Sequence, residues 1–451
     1  MTRSPYFLRM VALVTRFVLT SGPLLLGAST RAADVWPQFR GPDGQGHASS
    51  ARAPVSWSEN QGITWKTAVP GRGWSSPVVF GQQVWMTTAE ARLGTEEQRK
   101  DVVIDPDATD QPLLVVSSVS LRAVCVDRTT GAIRHDIELF DIRQPAPVQQ
   151  TNSFASPTPV VEAGRLYCHF GTYGTACLDT NRGAIVWKDR FPIKHLVGPG
   201  SSPVVVDRLL VLTCDGADQQ YIVAVDKRTG AVAWKTPRPP IRAPQPDFRK
   251  SFSTPLVISA GGRRQIVIPG AQWIVAYDPA SGKEIWRFDH GPGFSLVPRP
   301  LFDGNRLFFC TGYLRPQLIA LRVAVAGDPS QVDIVWEKSK QIPTVPSPIV
   351  VGNRVYVISN RGIATCLDTA TGSVRWRQRL PGAYAASLLS AGGNIYAFNQ
   401  AGVTTIFQPG DTFRRVARNV LNGQIRATPS VVDGTMFLRT DTHLYRIDSP
   451  R

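Results

Sequence analysis

The side chains best equipped for chemistry in this chain lie in short loops that run into Ser-Pro or Thr-Pro dipeptides. Arg72 and Trp74 occur in GRGWSSP, Asn152, Ser153 and Phe154 in TNSFASP, and His195 just ahead of GPGSSP. Lys250 and Phe252 occur in KSFSTP, His290 ahead of GPGFS, and Tyr384 and Arg426 in the last loops of the kind. Cations and aromatic rings gathered on one rim hold an anion, a sugar or a peptide through charge-assisted hydrogen bonds and ring contacts. Arg72, Trp74, Asn152, Phe154, His195, Lys250, Tyr384 and Arg426 are therefore the candidate binding residues. No residue is assigned a catalytic role. The acids of the longest insertion, Glu96, Glu97, Asp101, Asp105, Asp107 and Asp110, follow no EF-hand spacing. No two histidines have metal-ligand spacing, and neither C-x-x-C nor C-x-x-C-H occurs, so no metal site is expected.

What must position these loops is a repeat. LDTATGSVRW runs from Leu367 to Trp376, LDTNRGAIVW ends at Trp187, VDKRTGAVAW at Trp234, YDPASGKEIW at Trp286, and VDRTTGAIRH at His135. The pairs Asp127 and Gly131, Asp179 and Gly183, Asp226 and Gly230, Asp278 and Gly282, and Asp368 and Gly372 each lie four residues apart. The aromatic residue follows four further on. This is hairpin chemistry: Asp accepts backbone N–H groups ahead of it, and Gly supplies the positive φ that closes the loop. Trp then packs from the following strand. A fifth unit has Arg322 in place of Asp and a longer hairpin before Trp336, and a seventh has Gln408 and no Trp. Cys125, Cys177 and Cys366 sit two residues before the motif Asp, where other copies have Ala224 and Ala276. Equivalent sites in separate repeats stay too far apart for a disulfide, so all six cysteines read as small core residues.

Two more apolar strands precede each motif, as in SSPVVV, RLLVLTC and YIVAVD. The unit is four short antiparallel strands, opened by Ser76-Pro77, Ser156-Pro157, Ser202-Pro203, Thr254-Pro255, Arg299-Pro300, Ser347-Pro348, Ser387-Leu388 and Thr428-Pro429. Eight such units make an all-β, eight-bladed β-propeller of four-stranded antiparallel blades. The eighth unit has three strands, while ITWKT, with Trp65, is an unpartnered outer strand near the start. That N-terminal strand is expected to complete the last blade and close the ring.

The 451 residues carry a net charge of +16, but the basic residues are scattered, which points to a solvated surface rather than to nucleic acid. Residues 1–33 have arginines, no acids and a short apolar core from Phe17 to Ala28, the pattern of a cleaved signal peptide. No cysteine precedes Cys125, so no lipid anchor is expected, and no apolar run is long enough for a transmembrane helix. The expected organisation is a signal peptide at 1–33, a lead-in segment at 34–59 and the propeller at 60–451. The protein is expected in the periplasm or outside the cell, as a soluble monomer.

The unit ending in A/C-x-D-x-x-T-G-x-x-x-W resembles the pyrroloquinoline-quinone (PQQ) propeller repeat. That repeat builds quinoprotein alcohol dehydrogenases and also BamB of the outer-membrane barrel-assembly machinery, which has no cofactor. The opening WPQFRGPDGQG, Trp36 to Gly46, looks like the start of exported planctomycete-type members of the group. The dehydrogenases imply adjacent cysteines stacked on the quinone and a calcium site with a catalytic Asp; this chain has no Cys-Cys pair. The resemblance thus implies a non-catalytic binding or assembly scaffold with no cofactor and with a protein or glycan partner in the cell envelope. The alternatives are a dehydrogenase using PQQ with Ca, in which Trp74 or Trp273 faces the quinone and Arg72, Lys250 or Arg426 meets its carboxylates, and a carbohydrate-binding propeller.

Overall fold

The motif hairpins explain why the blades form and how they join. In the computed structural model, which describes residues 1, 35–48, 52–95, 112–323 and 332–449, each motif Asp closes its own turn. Asp127 Oδ1 accepts the N–H groups of Thr129 and Thr130 at 2.8 and 2.7 Å, and Asp179, Asp226 and Asp368 do the same two and three residues on. Asp278, followed by Pro279, accepts Ser281 N–H at 2.9 Å. The side chain of Arg375, with these N–H groups, holds the Asp368 carboxyl down to about 2. The signal segment expected over 1–33, apart from residue 1, and the acids from Glu96 to Asp110 lie outside the described residues.

The fold is the expected eight-bladed propeller. Blades one to seven run from an innermost to an outermost strand in chain order, as in blade three (Val204–Val206, Leu209–Asp215, Gln220–Asp226, Val232–Pro237). Blade eight is completed by Ile63–Ala68, which pairs antiparallel with His443–Asp448, so Trp65 belongs to the last blade. Hydrophobic clusters fill the spaces between neighbouring blades. One joins Leu210, Leu212 and Val223 of blade three to Tyr167 and Cys177 of blade two.

Four tryptophans reach out of their own blades onto the next motif hairpin. The indole N–H of Trp65, Trp187, Trp234 and Trp336 donates to the carbonyl of Arg128, Lys227, Pro279 and Thr369, always the residue after the motif position. The ring lies over the motif glycine: a Cβ on Gly131, Gly230, Gly282 or Gly372 would fall within 2.4 to 2.9 Å of indole atoms. Glycine is thus required twice, for its φ between +66° and +80° and for the absence of a side chain. Within their blades the residue facing Trp187, Trp234 and Trp336 across the ladder is small, Cys177, Ala224 and Ala320, whereas Trp65 of the N-terminal strand faces Arg446. All six cysteines are buried and free.

The irregular copies dock differently. Blade five lacks the Asp hairpin, so Trp286 turns back and donates to Gln265 Oε1 at 2.8 Å in its own blade. Trp376 finds the Gly410 carbonyl in blade seven. His135 lies over Gly183 and stacks on Trp85 with centroids 5.6 Å apart.

Around the channel the strand-opening residues form a belt. The backbone N–H of Ser76 donates to Thr158 Oγ1, Thr158 to Ser202, and Ser202 to Thr254; Arg299 donates to Ser347, Ser347 to Ser387, and Ser387 to Thr428, all at 2.9 to 3.0 Å. The second blade therefore opens at Thr158-Pro159, two residues beyond the expected Ser156-Pro157, because its loop carries two consecutive Ser/Thr-Pro pairs and the later one meets the belt.

The segment before the propeller fills the channel. Val35–Trp36 pairs inside Val78–Phe80 of blade one, and Val161 of blade two donates to the Pro37 carbonyl. Phe302 N–H of blade five meets Gln45 Oε1 at 2.6 Å, His47 Nε2 meets Val350 O of blade six at 2.7 Å, and Gly46 and Ala48 bond to Ser390 of blade seven. Farther on, Asn419 in the outer strand of blade seven binds Val55 O and Trp57 N–H, and Trp57 is buried against blade eight. No helix among the described residues is long and apolar enough to cross a membrane.

Candidate functional site

The loops that feed the innermost strands surround a cavity of about 710 Å³ in which every blade takes part. Ser76, Thr158, Ser202, Thr254, Ser347, Ser387 and Thr428 from the belt line it with hydroxyls, and Phe39 of the lead-in forms its floor. Because the lead-in occupies the channel, the cavity is a blind cup rather than a pore.

Arg299 is the one belt position without a hydroxyl, and it anchors that floor. Its guanidinium donates to Phe39 O at 2.5 Å and Pro255 O at 3.0 Å and approaches Gln38 Oε1 at 3.4 Å. Arg40 donates to Gln45 O and Pro348 O, and Arg439 to Ser75 and Thr87. All three arginines are fully buried and held mainly by carbonyls. Burial lowers Arg299 to about 10 and Arg40 and Arg439 to about 9.

Of the sequence candidates, Trp74, Asn152, Lys250, Tyr384 and Arg426 line the cavity. Arg72, Phe154 and His195 stand behind the lining. Arg72 lies over the Trp74 ring, 5.1 Å from its centroid, and donates to Gln150 O at 2.8 Å. Phe154 is buried against Tyr173. His195 is also buried; its Nε2 accepts Thr172 N–H at 3.2 Å, and burial pulls it down to about 4. Both look like loop residues in sequence but are drawn under by the short 3₁₀ turn Gly171–Tyr173, against which they pack. Asn152 binds the Val197 and Pro199 carbonyls and so ties the second loop to the third.

Charge is unevenly placed in the cup. The Lys250 ammonium donates to the Asp247 carboxylate and to its backbone carbonyl at 3.0 Å; burial pulls it down to about 7, against the pull of that carboxylate. Arg426 has no such neutralising partner among the described residues: it donates to Gln400 Oε1 at 2.8 Å and lies 5.4 Å from the Trp74 centroid. Burial and then the charge of Arg72 lower its pKa. Sequence reading missed Phe252, Phe294 and Tyr313 as an aromatic wall and Phe39 as a floor. Phe252 and the phenylalanine of GPGFS were visible as loop residues, but nothing marked Phe39 or Tyr313.

A quinone bearing carboxylates would find Arg426 here, but a calcium ion beside it needs several convergent oxygens. Asp247 is the one carboxylate lining the cavity among the described residues, and Lys250 already engages it. No group of three His, Cys, Asp or Glu side chains converges anywhere among the described residues. This donor set does not fit a calcium-assisted quinone.

A family model described as outer membrane protein assembly factor BamB matches residues 80–268 and 270–411. No curated protein matches the chain. Among solved structures, BamB from Moraxella catarrhalis is similar over 74% of this chain and 100% of its own, with 14% identity and a TM-score of 0.52. The quinohemoprotein alcohol dehydrogenase of Pseudomonas putida HK5 is similar over 96% of this chain and 84% of its own, with 12% identity and a TM-score of 0.58. That of Comamonas testosteroni covers 94% and 82%, with 12% identity and a TM-score of 0.56. Likeness at these identities is likeness of fold alone.

Proposed function

This chain belongs to the family described as outer membrane protein assembly factor BamB, and from that premise we propose that it is an exported, non-catalytic propeller acting as a binding or assembly scaffold. Its partner is a protein or glycan of the cell envelope, met in the periplasm or outside the cell by a monomer without bound cofactor. The observation that carries the reading is the blind cup. Eight loops and the lead-in build a hydroxyl-lined cup in which Asp247, the one lining carboxylate among the described residues, is committed to Lys250. Such a lining can recognise a ligand, but among the described residues it holds no uncommitted carboxylate and no metal-ligand set with which to oxidise one. Trp74, Asn152, Lys250, Tyr384 and Arg426 are the contact residues in this reading, with Arg72, Phe154 and His195 fixing them from behind.

The test is oxidation of alcohols or aldoses by the purified protein supplied with PQQ and Ca²⁺, followed by reduction of an electron-acceptor dye. No metal-dependent dye reduction is expected. Sustained reduction that disappears when one acidic residue near the channel is replaced would overturn the scaffold reading in favour of the dehydrogenase.

A further inference from the structure

The cup has two unlike walls. On the side of blades eight and one, Arg72 and Arg426 approach the ring of Trp74 at 5.1 and 5.4 Å. No carboxylate charge reaches Arg426 among the described residues, and Asp441 is the one that reaches Arg72. The buried Nε of Arg426 and the buried indole N–H of Trp74 have no hydrogen-bond partner among the described residues. Buried donors are almost always satisfied, so two orphans on one wall of a cavity point to an acceptor supplied from outside.

In a ring of eight, blades four and five stand across from blades eight and one. Their wall is aromatic: Phe252, Phe294 and Tyr313 line it, and Tyr313 keeps 44% of its surface exposed at the mouth. Phe294 is packed from behind by Phe248 at 4.5 Å, and its neighbour Lys250 is neutralised by Asp247. That wall offers apolar area with no net charge. The belt of hydroxyls between the walls is already turned to backbone N–H groups, so it adds little discrimination.

Taking the cup as the binding site of the scaffold reading, we propose that its ligand is a small amphipathic anion. Its carboxylate, sulfate or phosphate head meets Arg426 and the Trp74 N–H, with Arg72 behind, and its apolar or aromatic body lies against Phe252, Phe294 and Tyr313. A guanidinium donating to an anion in a partly desolvated site is strong enough to select on charge, and the aromatic wall adds area without selecting on it.

The probe is anilinonaphthalenesulfonate, a sulfonate on an aromatic body, read by its fluorescence on the folded full chain. Saturable one-to-one binding is expected. Naphthoate and naphthyl phosphate should displace it at least about tenfold better than neutral naphthalenemethanol, and the better of the two identifies the head group. Arg426→Gln should weaken the probe by about tenfold, with part of the loss restored in Arg426→Lys. Tyr313→Ala should weaken anionic and neutral naphthalenes alike. Displacement by naphthalenemethanol as good as by the anions, or an Arg426→Gln protein that binds like the wild type, would overturn the proposal. Melting curves accompany each variant; if Arg426→Gln is unfolded, the wild-type contrast between charged and neutral competitors decides. Dye reduction in the previous assay would sink the scaffold reading without bearing on this contrast, and the converse also holds.

Discussion

The motif glycines meet two demands that a pair of substitutions separates. Gly262 and Gly282 have nearly the same backbone, with φ of +74° and +67°, but a Cβ on Gly262 meets open space while one on Gly282 would lie 2.4 Å from the Trp234 ring. Gly262→Ala should cost about 1–2 kcal/mol for its left-handed backbone, and Gly282→Ala about 1–3 kcal/mol more for the displaced indole. Equal losses in denaturant midpoint would show that the indole does not lock the blades. Buried histidines make a second prediction. Burial pulls His169 to about 3 and His195 and His290 to about 4, below the ordinary value near 6.5. The unfolded chain takes up these protons first, so their stabilisation is complete above about pH 6.5 and is lost as pH falls toward 4. His47 works the other way: burial is the largest influence and lowers it, but the hydrogen bond and charge of Asp43 and the bond to the Val350 carbonyl together raise it. Burial also lowers His443, while burial raises the Asp215 carboxyl to about 6, so that its proton stabilises the fold as pH falls. Four lowered histidines outweigh His47 and Asp215, and the melting temperature should drop between pH 7 and pH 4, before the motif carboxylates titrate. A flat profile over that range would contradict the burial of the three rings.

At the scale of elements, periodic features were legible and aperiodic ones were not. Asp and Gly announced five of the hairpins, four of them with the following Trp, because each residue does a local job that recurs. The docking of Trp286 on Gln265 was not legible, since it depends on what blade five lacks. The lead-in was least legible of all. WPQFRGPDGQG has no strand or helix period, and its turns, with Gly41, Gly44 and Gly46 at positive φ, gain their meaning only from partners several hundred residues away. Its trace in the sequence was the exception at Arg299, where a repeat of Ser and Thr is interrupted at the position that grips Phe39. Arg299→Ser should mend the belt and loosen the floor: the circular dichroism should stay that of the propeller while limited proteolysis within residues 35–48 speeds up. Unchanged cleavage would show that the remaining contacts hold the lead-in without the arginine. The candidate site was half legible for the same reason, because loop position could be read from the repeat but depth beneath the rim, as for Phe154 and His195, could not.

At the scale of the whole molecule, closure governs stability. All eight outer strand pairs carry a register shift beside the motif, which bends the exposed edges and makes them poor templates for other chains. Deleting residues 34–68 removes both the channel filling and the outer strand of blade eight, leaving the edge of His443–Asp448 bare. The deleted protein should melt well below the undeleted chain and aggregate on concentration; equal melting and a monomeric elution volume would refute the closure. The same pairing has a meaning in time. Thr64 and Asp448, hydrogen-bonded in blade eight, stand 384 positions apart in the sequence. A polypeptide emerging N-terminus first holds Ile63–Ala68 unpaired until nearly all the rest has appeared, a loop closure of very high contact order. Blades one to seven can assemble in turn, but the ring is sealed last. Any product cut short before residue 443 keeps an unfinished blade, so completion of the circle serves as the molecule's own test that synthesis has passed its last blade.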